Sequence, residues 1–105
     1  MAVKKQFTSF QDMLQSSPRP VLVDFYATWC GPCQMMATIL DQVSGALGER
    51  LQVVKIDTDR YPQLASLYQV QGLPTLVLFK QGQPVHRIEG VQPATQLIQQ
   101  LSGLL

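Results

Sequence analysis

The chain has 105 residues, 46% of them hydrophobic, and a formal net charge of +1. That length and apolar content suit one domain with its own core, expected over residues 1–105, and rule out a disordered chain. Near-neutral charge without runs of one sign removes the electrostatic case for nucleic acid or an anionic membrane, and no apolar stretch approaches the roughly 20 residues of a membrane span.

Residues 3–7 read as a short edge strand. Thr8 and Gln11 fit a capping box, and Phe10, Met13 and Leu14 continue as a short amphipathic helix stopped by Ser16-Ser17-Pro18. The nearly unbroken apolar run at 20–27 predicts a strand buried on both faces. The longest helix follows Cys30, where Met36, Ile39, Leu40, Val43 and Leu47 keep helical spacing and Gly48 is the stop. Residues 51–56 read as a third strand, and Leu64, Leu67 and Tyr68 as a helix. Gly72 and Pro74 punctuate the chain before a strand at 75–79. The short turn Gln81-Gly82-Gln83-Pro84 makes the strand at 85–88 return as a hairpin, which Gly90 ends. Pro93 suits the first turn of a last helix with Leu97, Ile98 and Leu101 facing the core. This order, βαβαβαββα, predicts an α/β fold. Its central mixed five-stranded sheet has the first three strands parallel and the C-terminal hairpin antiparallel, flanked by four helices.

Chemistry concentrates in Trp29-Cys30-Gly31-Pro32-Cys33, which holds the only two cysteines and the only tryptophan. The pair falls where a strand hands over to a helix, the carboxyl end at which open α/β sheets place ligand chemistry. A thiol at a helix N-terminus feels the positive end of the dipole, which favours the reactive thiolate. A disulfide across so small a loop adds little as a structural staple, and secreted scaffolds usually carry more cysteines. Structural zinc needs about four ligands, and beyond the two cysteines the sequence offers only His86, which reads as a surface residue. No metal and no cofactor are expected. Reversible dithiol chemistry is the reading that remains. Cys30, first in the pair and the more exposed, is the expected nucleophile. Cys33, one turn in and shielded, is the expected resolving thiol. Gly31 admits a partner backbone, and Pro32 has no N–H to lose at a helix start.

Asp24 lies within the apolar strand, where an acid costs free energy unless paired or protonated. Beneath the dithiol it could accept the Cys33 proton; the alternative is an exposed strand position. Lys55, on the following strand, either reaches toward Asp24 or is a solvated strand-end lysine. Of Met35 and Met36, one is expected in the core and the other exposed. Pro74 is either an ordinary strand-start proline or a cis-proline held in a turn.

Taken together these segments resemble the thioredoxin family nearly end to end. The similarity runs through Val23-Asp24-Phe25-Tyr26-Ala27-Thr28-Trp29-Cys30-Gly31-Pro32-Cys33, Val54-Lys55-Ile56-Asp57, Gly72-Leu73-Pro74-Thr75-Leu76, Phe79-Lys80-Gln81-Gly82 and Gly90. The resemblance implies a protein-disulfide reductase with Cys30 as nucleophile, Cys33 as resolving thiol, Asp24 as buried acid and Lys55 as its neighbour. It also implies a cis Leu73–Pro74 bond and a substrate groove of Trp29, Gly31, Pro32, Leu73, Pro74 and Gly90. The finer match, WCGPCQMM with Val53 to Thr58, is similar to the y-type thioredoxins of chloroplasts and cyanobacteria. It implies reduction by a ferredoxin-dependent reductase and peroxiredoxins among the targets; an NADPH-dependent thioredoxin reductase is an equally physical electron source, and the chain is expected to be a monomer. The expected compartment is the cytoplasm, or the chloroplast stroma where a transit peptide has been removed; residues 1–6 are too short and polar for a signal peptide. Thr38 stands where many relatives have a helix-kinking proline, and Gln34 where many have Lys or Arg. An oxidase or isomerase on the same fold, or a redox-silent binding module using the Trp29 groove, are the competing readings.

Overall fold

The computed structural model describes residues 10–105. The strand expected at 3–7 and Thr8 of the expected capping box lie outside the described residues. From there the chain runs α1 (residues 10–16), β1 (Val21–Tyr26), α2 (Gly31–Leu47), β2 (Gln52–Asp57), α3 (Pro62–Leu67), β3 (Thr75–Lys80), β4 (Gln83–Glu89) and α4 (Ala94–Ser102).

The described strands form a mixed sheet in the order β2-β1-β3-β4. β1 pairs parallel with β2, while β1–β3 and β3–β4 are antiparallel. β1 therefore has a strand on each side, and its residues from Val21 to Phe25 are all buried. Its alternating side chains feed two cores. Leu22 joins Met36, Leu40, Val43 and Leu47 of α2 and Leu97 and Leu101 of α4 on one face. Val21, Val23 and Phe25 join Phe10, Leu14 and Leu64 on the other, the side of α1 and α3. Each fully buried leucine or phenylalanine contributes about 1.5–3 kcal/mol, so the apolar β1 and the α2 stripe dominate what holds the sheet between its helices.

The hairpin follows from two residues. Gln81 and Gly82 both have positive φ, 53° and 82°, the backbone signature of a two-residue type I′ turn. A Cβ at Gly82 would also lie 2.6 Å from Gln15 Cγ. β4 begins at Gln83, earlier than the sequence suggests, because Pro84 sits on an edge strand that tolerates a missing N–H. Two helix ends differ from expectation in mechanism. Gly48 ends α2 with φ −60°, so no left-handed glycine closes it; the Arg19 guanidinium donates to the Gly48 carbonyl at 2.6 Å instead. Pro93 is the N-cap of α4 and precedes its first turn. At Thr38, α2 runs unbroken.

Candidate active site

The strand pairings, one parallel and two antiparallel, bring four chain segments to one end of the sheet. These are the C-terminal ends of β1, β2 and β4 and the N-terminal end of β3. Cys30, Asp59, Glu89–Gly90 and Leu73–Pro74 all belong to that end.

Cys30 is the N-cap residue of α2 and has extended backbone, φ −91° and ψ 112°. Its Sγ accepts a hydrogen bond from the Cys33 N–H at 3.2 Å. Pro32 occupies the first turn, where its missing N–H costs nothing. Cys30 and Cys33 are joined as a disulfide with Cα atoms 5.2 Å apart. Both cysteines are buried in this oxidised state. Cys30 is 6% exposed and Cys33 4%. Both pack with Ala27, Tyr26 and Leu73, and their places on α2 differ, Cys30 at the N-cap and Cys33 within the first turn.

Asp24 is 2% exposed, and its Oδ1 has no hydrogen-bond partner. It shares the α2 face of β1 with Leu22 and Tyr26, and Tyr26 packs against the dithiol. That alternation puts Asp24 on the face of β1 that α2 covers. Burial pushes its pKa up to about 6, and the positive charge of Lys55 opposes the rise. Lys55 is the register partner of Asp24 across β1–β2 and is itself exposed.

Trp29 is 71% exposed, and its indole Nε1–H donates to Asp59 Oδ2 at 2.8 Å. The Asp59 N–H in turn donates to Asp57 Oδ1 at 2.9 Å, which holds the loop after β2. Sequence reading missed Asp59. The available signal was a lone exposed indole donor and an acid just past a strand predicted to run beside the dithiol. Gly31 and Pro32 are exposed beside Trp29. The Leu73–Pro74 bond is cis. The Pro74 carbonyl accepts from the Gly90 N–H at 3.0 Å, and Gly90 has φ 85°, where an L side chain is strained. Thr75, wholly buried, donates to the Gly72 carbonyl at 2.6 Å.

The other flagged residues lie elsewhere. His86 is half-buried on β4, with its Nε2 2.9 Å from Gln100 Nε2 of α4, away from the dithiol. Met36 is in the core and Met35 is 60% exposed.

The family model described as Thioredoxin matches residues 1–103. The chain belongs to the thioredoxin family. It is 74% identical to a thioredoxin-like protein of Synechocystis over 96% of each chain. It is 57% identical to the chloroplastic thioredoxin Y of Oryza sativa subsp. japonica over 99% of this chain; that alignment spans 62% of the rice protein. It also superposes, with TM-score 0.82 and 34% identity over 91% of this chain and 88% of the other, on a chain from a structural study of thiol resolution in yeast mitochondrial 1-Cys peroxiredoxin via glutathione/thioredoxin systems. The mixed sheet between helices is the thioredoxin fold. Cys30–Cys33 is its redox-active disulfide, and this thioredoxin is a thiol–disulfide oxidoreductase, a reductase of protein disulfides.

Proposed function

We propose that the protein carries electrons, as one monomeric domain over residues 1–105, from a thioredoxin reductase to disulfides in target proteins. The Cys30 thiolate attacks one sulfur of the target disulfide. That bond breaks, a target thiolate leaves, and a Cys30–target mixed disulfide forms. Cys33 then gives its proton to the Asp24 carboxylate and attacks Cys30 Sγ. The mixed disulfide breaks, the second target thiolate leaves, and the Cys30–Cys33 disulfide remains. Two electrons have passed to the target. The observation that carries this assignment is the Cys33 N–H donating to Cys30 Sγ at the N-cap of α2. That bond and the helix dipole both favour negative charge on Cys30.

A pKa of about 6 leaves Asp24 mostly ionised at neutral pH, so it is ready to accept a proton. Lys55 modulates it from the register position opposite. Trp29, Gly31, Pro32, Leu73, Pro74 and Gly90 form the groove in which an extended target segment lies along the Leu73 backbone. Similarity to the rice thioredoxin Y and to the Synechocystis protein supports a y-type role in a cytoplasm or chloroplast stroma. Ferredoxin-dependent and NADPH-dependent reductases are both physical electron sources. The yeast neighbour supports peroxiredoxins among the targets.

Redox titration of the Cys30–Cys33 pair tests this reading against the other two. A potential below that of the glutathione pool marks a reductase, a higher one marks an oxidase or isomerase, and a pair that does not cycle marks a binding module.

A further inference from the structure

Three segments wall the groove: the dithiol turn with the first part of α2 (residues 27–40), the Pro74 loop with β3 (residues 69–79), and the end of β4 with α4 (residues 89–105). Among all their side chains Glu89 alone is charged. Apart from Asp24, buried in β1, and Arg87 of β4, the chain's other charges near this end of the sheet sit on the β2 side, and two are engaged there. Asp59 holds the Trp29 indole and Asp57 holds the Asp59 N–H. Arg60 follows them, exposed.

Glu89 is placed against the groove by the sheet. It pairs with Thr75 across β3–β4, one residue from Pro74, and the next residue, Gly90, donates its N–H to the Pro74 carbonyl. It is exposed on the edge strand. Arg87, two residues earlier on the same face of β4, is engaged elsewhere, with its guanidinium donating to the Tyr68 carbonyl at the end of α3. A target chain laid along Leu73–Pro74 therefore passes a single carboxylate against otherwise neutral walls.

We propose that Glu89 is a specificity-determining residue, selecting targets that carry lysine or arginine beside the attacked cysteine. The inference rests on the groove assignment above. An exposed charge pair of this kind is worth up to about fivefold in rate or affinity, and charge reversal about tenfold in preference. The effect should be screened by salt, because the Debye length shrinks to about 3 Å at 1 M.

Two synthetic peptides with the same internal disulfide, one with Lys and one with Glu beside the attacked cysteine, give the test. Each is mixed in excess with the reduced protein. The second-order rate of dithiol oxidation is read by acid quenching and mass spectrometry, at about 20 mM and about 1 M salt. The wild-type protein should favour the lysine peptide at low salt. Glu89→Gln should cut that ratio severalfold, Glu89→Lys should invert it, and high salt should flatten it. An identical ratio in all three proteins overturns the role of Glu89. If neither peptide oxidises the wild-type dithiol, the reductase reading itself fails, and this inference with it.

Discussion

Asp24 and Lys55 stand opposite one another across β1–β2, yet one is buried and the other exposed. Burial outweighs the attraction, so the Asp24 pKa rises to about 6. The native state thus keeps a proton that the unfolded chain releases near pH 3.9. By linkage this stabilisation is fully present below the unfolded pKa and is lost as pH rises through the folded one. Two units of difference amount to about 3 kcal/mol. Asp24→Ala should therefore be more stable than wild type at pH 8 by about 1–3 kcal/mol, less whatever the small void costs. The advantage should vanish near pH 4. Target reduction by the variant should slow, because Cys33 has lost its proton acceptor. Denaturant unfolding at pH 4 and pH 8 with a turnover assay checks both parts. A variant less stable at pH 8 and fully active would make Asp24 a structural acid only.

Lys55 bears on the same carboxyl from outside. Lys55→Gln removes the one influence that holds the Asp24 pKa down, so its midpoint should move further up. Carboxyl-carbon NMR titration reads this directly. An unmoved midpoint would mean that Lys55 is solvated away from the acid.

The Trp29–Asp59 hydrogen bond fixes an exposed indole beside the attacking sulfur. Asp59→Ala should cost no more than about 1.5 kcal/mol of stability, the usual net worth of such a bond. Its larger effect should be on catalysis, as a raised KM for protein targets and a more mobile indole in Trp29 fluorescence anisotropy. Unchanged anisotropy would show that the ring is held by other contacts.

Leu40 and Leu67 offer a contrast within one protein. Leu40 is 2% exposed in the α2 core and Leu67 is 51% exposed on α3. Leu40→Ala should lose about 2–5 kcal/mol and Leu67→Ala less than about 0.5 kcal/mol. Urea midpoints settle the comparison, and similar losses at both sites would mean that Leu67 is covered in solution.

Much of this was legible in the residues because the signals were local. The apolar run at 20–27 announced a strand covered on both faces, and Val21 to Phe25 are buried. Period-3.6 spacing gave the α2 stripe, and Gln81-Gly82 gave the hairpin. What stayed hidden depends on contacts distant in sequence. Asp59 reaches Trp29 only because β2 lies parallel to β1. Arg19 reaches the end of α2 from the loop before β1.

The central claim is the division of labour within the dithiol, and capture of mixed disulfides tests it most directly. Cys33→Ser and Cys30→Ser variants are reduced, exposed to disulfide-bearing target proteins, and the adducts identified by mass spectrometry. Cys33→Ser should accumulate stable adducts through Cys30, because no thiol remains to resolve them, and Cys30→Ser should form none and lose disulfide reduction. Stable adducts on Cys30→Ser, with none on Cys33→Ser, would contradict the account and make Cys33 the nucleophile.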